Sequence, residues 1–193
     1  MTTLKAEKRD MQTKAKKLRR EGYVTGNVFG KTIDGSIPVQ FPKSEIEQLL
    51  KTKNKGSQIM LEIDGEQIDV LIKEIDFNSM KRQVEEIDFQ ALVSGEKVHS
   101  TAEIVLKNHE KVTAGVIQQM LEEIPFKAVP AALVEKIEID VTQLHIGDSI
   151  KVKDLAIASD KDVTLQIDPE EVVVTLMESH NAPAEDEEAV AEA

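Results

Sequence analysis

The chain has 193 residues and a net charge of −12, with 24 Lys and Arg against 36 Asp and Glu; hydrophobic residues make up 40% and aromatic residues only 3%. The absence of Cys excludes disulfides, thiolate nucleophiles and Cys-ligated zinc. No stretch approaches the roughly 18 to 20 apolar residues of a membrane span, and the N-terminus is charged rather than apolar, so a soluble, intracellular protein with a core of Ile, Leu and Val is expected.

The charge is unevenly spread. Residues 1–95 are close to neutral at +1, residues 96–193 carry −13, and residues 1–31 alone carry +6. A local basic face on an acidic chain remains compatible with a nucleic-acid partner.

In chain order, residues 2–9 open as a strand. Residues 12–21 read as a basic helix with Lys14, Lys16, Lys17, Arg19 and Arg20, stopped by Gly22. Val24–Phe29 reads as a strand interrupted by Gly26, and Ser36–Phe41 as a second short apolar run. Ser44 and Glu47 have capping-box spacing ahead of a helix whose apolar face is Ile46, Leu49 and Leu50. Asp64-Gly65 between Ser57–Ile63 and Glu66–Phe77 is a hairpin signal. A two-residue turn there pairs Ile63 with Glu66, Leu61 with Ile68 and Ile59 with Val70. The apolar phase shifts after Ile72 to Ile75 and Phe77, which predicts a bulge or a strong twist near Lys73. Val84–Val93 is a further strand. Strands with one or two helices in this half predict a small, barrel-like α+β domain.

Ser94-Gly95-Glu96 marks the expected boundary. Beyond it, strands are expected at Val98–Leu106, Met120–Val129, Glu135–Val141 and Val172–Met177, with Pro125 and Pro130 at strand edges or turns. Asp168-Pro169 is a turn. From His180 onward the chain is acidic with Val190 its one bulky apolar residue, and is expected to be a disordered tail.

Several suggestive patterns carry no chemistry. GNVFGKT, Gly26 to Thr32, ends like a phosphate-binding loop, but Thr25 stands where the first Gly is needed and no helix follows. Gly22, Gly26 and Gly30 have the spacing of a membrane-helix dimer motif, in a setting too charged for one. His99, His109, His145 and His180 are scattered, without the spacing of a zinc site. No Ser or Thr has a nucleophile context such as G-x-S-x-G. The expectation is a protein that is not an enzyme and holds no cofactor or metal. The Lys14–Lys31 stretch, basic residues beside Tyr23 and Phe29, reads either as a surface that meets phosphate and bases or as a solvated helix face.

LRREGYVTGNVFGK and EEIDFQAL, followed by GVIQQMLEEIPFKAVP, EKIEIDVTQLHIGDSIKVKDL and DPEEVVVTL, together resemble a known family. It is that of the bacterial large-subunit ribosomal proteins that bind the E-loop of 5S rRNA, in the longer two-domain form also called general stress protein Ctc. The resemblance spans residues 1 to about 178. It implies a mainly β fold with a few helices: a six-stranded N-terminal barrel at 1–94, similar to an anticodon-binding domain of glutaminyl-tRNA synthetase, and a β-rich C-terminal domain at 95–179. It implies a ribosome-associated, cytoplasmic protein whose partners are 5S rRNA and neighbouring large-subunit proteins and rRNA, with no membrane and no small-molecule substrate.

The resemblance places Arg19, Arg20, Lys14 and Lys17 on the RNA face, with Phe29, Lys31 and Asp88. Arg and Lys would hold phosphates, Phe29 would pack on a sugar or base, and Asp88 would accept from an exocyclic amine. The chain departs from the family's pattern at several of these positions. Thr25-Gly26 stands for a usual Pro-Ala, Phe29 for Tyr, Asp76 for Gln, Ser79 for Pro and Glu86 for His. A carboxylate about 4 Å from a phosphate costs about 1 kcal/mol in bulk-like water, so Asp76 and Glu86 are expected to oppose binding. Those departures motivate an alternative: a stress-response paralogue with weakened rRNA binding that acts as a protein-binding adaptor.

Overall fold

The computed structural model describes residues 2–112 and 115–178. The tail expected from His180 onward lies outside them. Strands β1 (Thr3–Lys8), β2 (Tyr23–Phe29), β3 (Ser36–Pro42), β4 (Gln58–Ile63), β5 (Glu66–Asn78) and β6 (Gln83–Ala91) close into a barrel in the order β1-β3-β2-β6-β5-β4. β1 completes the ring by pairing parallel to β4, and β2 runs parallel to β6. Period-2 alternation sends Val28, Val39, Ile59, Leu61, Val70, Ile72 and Ile87 inward, where they are fully buried. The few aromatics are used centrally: the Phe41 and Phe89 rings meet at 5.5 Å, tilted by 58°.

The β4–β5 hairpin has the expected register, Ile63 with Glu66, Leu61 with Ile68 and Ile59 with Val70. Asp64 and Gly65 both have positive φ, as a type I′ turn requires. Ile72 faces Phe89 and Glu74 faces Asp88, leaving Lys73 as the predicted bulge. A second bulge lies on β6, where Asp76 faces Glu86 but Phe77 faces Val84, so Glu85 is the extra residue.

Helix α1 is shorter than expected, Ala15–Arg20, because Asp10 folds residues 10–13 into a turn by accepting from the Gln12 N–H at 3.0 Å. Gly22 follows with φ +89°. Helix α2 (Lys43–Leu49) seats Ile46 and Leu49 against the barrel core. The capping box expected at Ser44 and Glu47 does not form. The chain turns straight from β3 into the helix, so Pro42 is the N-cap and the Lys43 N–H is satisfied by the Gly22 carbonyl at 2.9 Å.

The second half is β-rich. β7 (Val98–Lys107), β9 (Glu123–Ala128), β10 (Lys136–Asp140) and β12 (Val163–Leu165) form a sheet in the order β10-β7-β9-β12. β8 (Val116–Gln119), β11 (Ser149–Lys151) and β13 (Val172–Met177) form another in the order β11-β13-β8. Ile104, Ile124, Phe126, Ile139, Val152 and Val173 share a core separate from that of the barrel. The strand expected at Met120–Val129 is the shorter β9, and the unpredicted β8 just ahead of it lies in the other sheet, so the chain changes sheets across residues 120–122. The Met120 and Leu121 N–H groups both reach the Val173 carbonyl at the crossing. Pro125 sits inside β9, where its missing N–H ends the β12 ladder at Gln166. Pro130 opens a 3₁₀ turn.

The halves meet along the Lys53–Gly56 loop. Lys53 pairs with Glu135 at 2.7 Å, Asn54 donates to Glu103 at 2.6 Å and Lys55 pairs with Glu123 at 3.4 Å. Gly56 has φ +84°, and a Cβ there would lie 2.0 Å from the Thr101 carbonyl oxygen, so only Gly allows this approach.

On the turn before β13, Glu170 accepts from Lys151 at 2.8 Å and Lys153 at 2.6 Å, and the two ammonium groups pull its carboxyl down to about 2. Because the folded value is depressed, this tether is fully present above the ordinary Glu pKa of about 4.3 and is lost as pH falls toward 2. Acid titration of the Glu170 carboxyl carbon by NMR is expected to show that low midpoint, and Lys153→Gln is expected to raise it.

Candidate nucleic-acid interface

Helix α1 packs on the barrel through Leu18, its one buried residue, which leaves Lys14, Lys16, Lys17 and Arg20 exposed. Arg19 turns inward, with its side chain 25% exposed. Its Nε donates to the Glu85 carbonyl at 3.0 Å, and its Nη atoms lie 3.4 Å from the carboxylates of Glu85 and Glu86. The β6 bulge makes this contact possible, because the extra residue turns the Glu85 carbonyl out of the ladder. The buried Thr25 hydroxyl shares that carbonyl at 3.3 Å. Arg19 is therefore the clamp between α1 and β6.

β2, β6 and β5 present one continuous outer face. Thr25, Asn27 and Phe29 alternate outward on β2, and Glu86, Asp88 and Gln90 stand beside them on β6. Asp88 accepts from the Asn27 backbone N–H at 3.0 Å and its side-chain amide at 3.3 Å through one oxygen, so its other oxygen remains available to a ligand. Asn27 also reaches Glu86 at 3.4 Å. Across the next strand pair, Asp76 stands opposite Glu86 and Glu74 opposite Asp88. Four carboxylates thus share this face, and the adjacent like charges oppose one another.

The residues singled out from the sequence fall into three groups. Arg19, Asp76, Glu86 and Asp88 come together on the barrel face, with Phe29 half-buried further along β2. Lys14, Lys17 and Arg20 stand on the solvent side of α1, Lys17 lying 3.8 Å from Glu21. Lys31 is apart from both, paired with Glu96 at 2.6 Å.

Sequence reading missed Lys81. It stands across from α1 on the β5–β6 turn, and with Lys16, Arg19, Arg20, Gln83 and Glu85 it lines a groove of about 640 Å³. Hydrogen bonds from the Lys81 ammonium and the Asn78 amide hold the Glu85 carboxyl below the usual range. The tip of that turn carries Met80, 94% exposed. The signal was available: Val84 and Ile87 are both inward, an apolar spacing of three that breaks the strand period as Ile72–Ile75 does. Among the described residues no group of three or more His, Asp or Glu is placed to hold a metal ion. Nor is any helix long and apolar enough to cross a membrane.

Residues 4–89 match the Ribosomal L25p family, and residues 97–180 match the C-terminal domain of ribosomal protein TL5. A large ribosomal subunit protein bL25 of Bacillus velezensis is 30% identical over 181 residues, covering 92% of this chain and 88% of the relative. Its counterpart in Listeria monocytogenes serovar 1/2a is 30% identical over 191 residues, covering 97% and 89%. That of Caldanaerobacter subterraneus is 28% identical over 189 residues, covering 96% and 94%.

Proposed function

The chain belongs to the Ribosomal L25p family, and from that membership we propose that it is a structural constituent of the large ribosomal subunit that binds 5S rRNA at its E-loop. The barrel with α1, spanning 1–94, is the RNA-binding domain in this reading, and 95–179 is a second domain facing neighbouring ribosomal components. The protein acts by shape and charge, not by catalysis, and works on ribosomes in the cytoplasm.

The observation that carries the reading is the clamped cationic helix beside an open β-sheet face. Arg20, Lys14, Lys16 and Lys17 stand where a phosphate backbone can lie along α1, while Asn27, Phe29 and Asp88 stand where base edges can be met. Regular A-form RNA hides its major groove from side chains, so such a surface selects a widened, non-canonically paired region. In this arrangement Arg20 is a phosphate contact and Arg19 holds the helix that presents it. The free Asp88 oxygen accepts from an exocyclic amine.

The test is binding of a 5S rRNA E-loop fragment to the full chain at two salt concentrations, with tRNA as competitor. A salt-sensitive complex that resists tRNA is expected. Arg20→Ala is expected to leave the melting temperature unchanged, weaken binding about fivefold and lower the log–log salt slope by about one. Equal competition by tRNA, or no complex, rejects the reading. The four carboxylates on the barrel face favour a second reading, a stress-response paralogue acting as a protein-binding adaptor, and that result would support it.

A further inference from the structure

The second half carries an open edge that neither the barrel nor α1 uses. β10 pairs with β7 on one side and, among the described residues, with no strand on the other. The Glu103 N–H reaches the Glu135 carbonyl at 3.1 Å and the Val141 N–H reaches the Lys107 carbonyl at 3.3 Å. The odd-numbered positions therefore turn their backbone groups toward β7. Lys136, Glu138 and Asp140 turn theirs outward, as ladder alternation requires. A row of unpaired N–H and C=O groups is a template for another strand.

A groove of about 480 Å³ runs beside this edge, between β10 and the 3₁₀ turns Val152–Asp154 and Ala156–Ser159. Ile137, Ile139, Ile150, Leu155 and Ile157 supply its apolar walls. Glu138, Asp140, Asp154 and Asp160 stand on the rim with Lys136, and Lys107 pairs with Glu138, which leaves the carboxylates in excess. We propose that β10 and this groove dock an extended basic peptide of another protein. It adds as a strand to the β10 edge, with apolar side chains in the groove and alternate Lys or Arg side chains over the acidic rim.

Charge selects this occupant over the alternatives. Residues 179–193 of the chain itself contain no Lys or Arg and five Asp or Glu, the wrong sign for the rim. A second copy paired antiparallel about the centre of β10 would set one Glu138 against the other, an unfavourable like-charge pair. A basic extended segment satisfies the backbone edge, the apolar walls and the rim together. The proposal needs neither α1 nor RNA, so it stands or falls separately from E-loop binding.

A short fluorescein-labelled peptide of alternating Lys and Val, titrated against the full chain, tests it. Binding should shift the backbone amide signals of Lys136, Glu138 and Asp140. The same peptide N-methylated at alternate amides, and one with its lysines in a single block, should each bind about tenfold more weakly, as should the Glu138→Lys/Asp160→Lys variant. No binding, equal affinity for the three peptides, or unmoved β10 amides overturns the proposal. So does a concentration-dependent dimer formed through this edge, which would give the surface to a second copy.

Discussion

Arg19→Ala is expected to lower the stability of the chain by about 2 kcal/mol, the scale of a hydrogen bond from a charged donor lost in a partly desolvated site. For a chain of this size that is a fall of roughly 4 to 8 °C in melting temperature. The variant frees the Glu85 carbonyl of its guanidinium donor and leaves the Glu85 and Glu86 carboxylates without the charge between them. The helix α1 then has Leu18 as its one buried side chain against the barrel. RNA affinity is expected to fall about tenfold because the phosphate-facing cations lose their fixed position, with the salt slope nearly unchanged. Arg19→Lys restores a charge but not the forked donor geometry, and should recover only part of the stability. The contrast with Arg20→Ala separates the roles, since there the slope falls and the melting temperature holds. A normal melting temperature with a slope lowered by about one in Arg19→Ala would instead make Arg19 itself a phosphate ligand.

That division of labour between neighbouring arginines was hidden in the sequence. LRR shows two cations on a short helix, but Glu85 and Glu86 lie far along the chain, and only barrel closure brings β6 beside α1. What was legible is what local physics controls. Asp64-Gly65 and the alternating apolar positions around it fix the hairpin register without tertiary help, and the phase shift after Ile72 shows as a bulge at Lys73. The same logic applied to Val84 and Ile87 would have exposed the Glu85 bulge, and with it the carbonyl that Arg19 needs. The barrel came from the family resemblance together with its strand run, since periodicity alone does not specify a parallel β2–β6 pair. In the second half, β11 and β12 have three residues each, too few for an alternation to register. The sheet change after Gln119 is set by the distant Val173 carbonyl. Lys31, which the family resemblance places on the RNA face, is paired with Glu96 across the start of the second half, a contact that local sequence does not show.

The Asp76→Gln/Glu86→His double variant is expected to bind the E-loop fragment roughly thirtyfold more tightly at low salt. Each carboxylate removed from about 4 Å of a phosphate relieves about 1 kcal/mol in water-like surroundings. The gain should shrink as salt rises, because the Debye length falls to about 8 Å at physiological ionic strength. The fold should tolerate the change. Asp76 and Glu86 face each other across the β5–β6 ladder, so replacing them removes a like-charge pair, and Arg19 keeps both the carbonyl and the carboxylate of Glu85. Adding Phe29→Tyr supplies a hydroxyl donor further along the same face. If the unaltered chain binds and the double variant binds equally well, Asp76 and Glu86 do not face the RNA, and contact is confined to α1 and its groove. If only the double variant binds, the carboxylates are what closes this surface to rRNA, and the adaptor reading then accounts for the chain as it stands. Either result can be read from two titrations, because Asp76 and Glu86 lie on the sheet face while Arg20 and Lys81 lie on the groove.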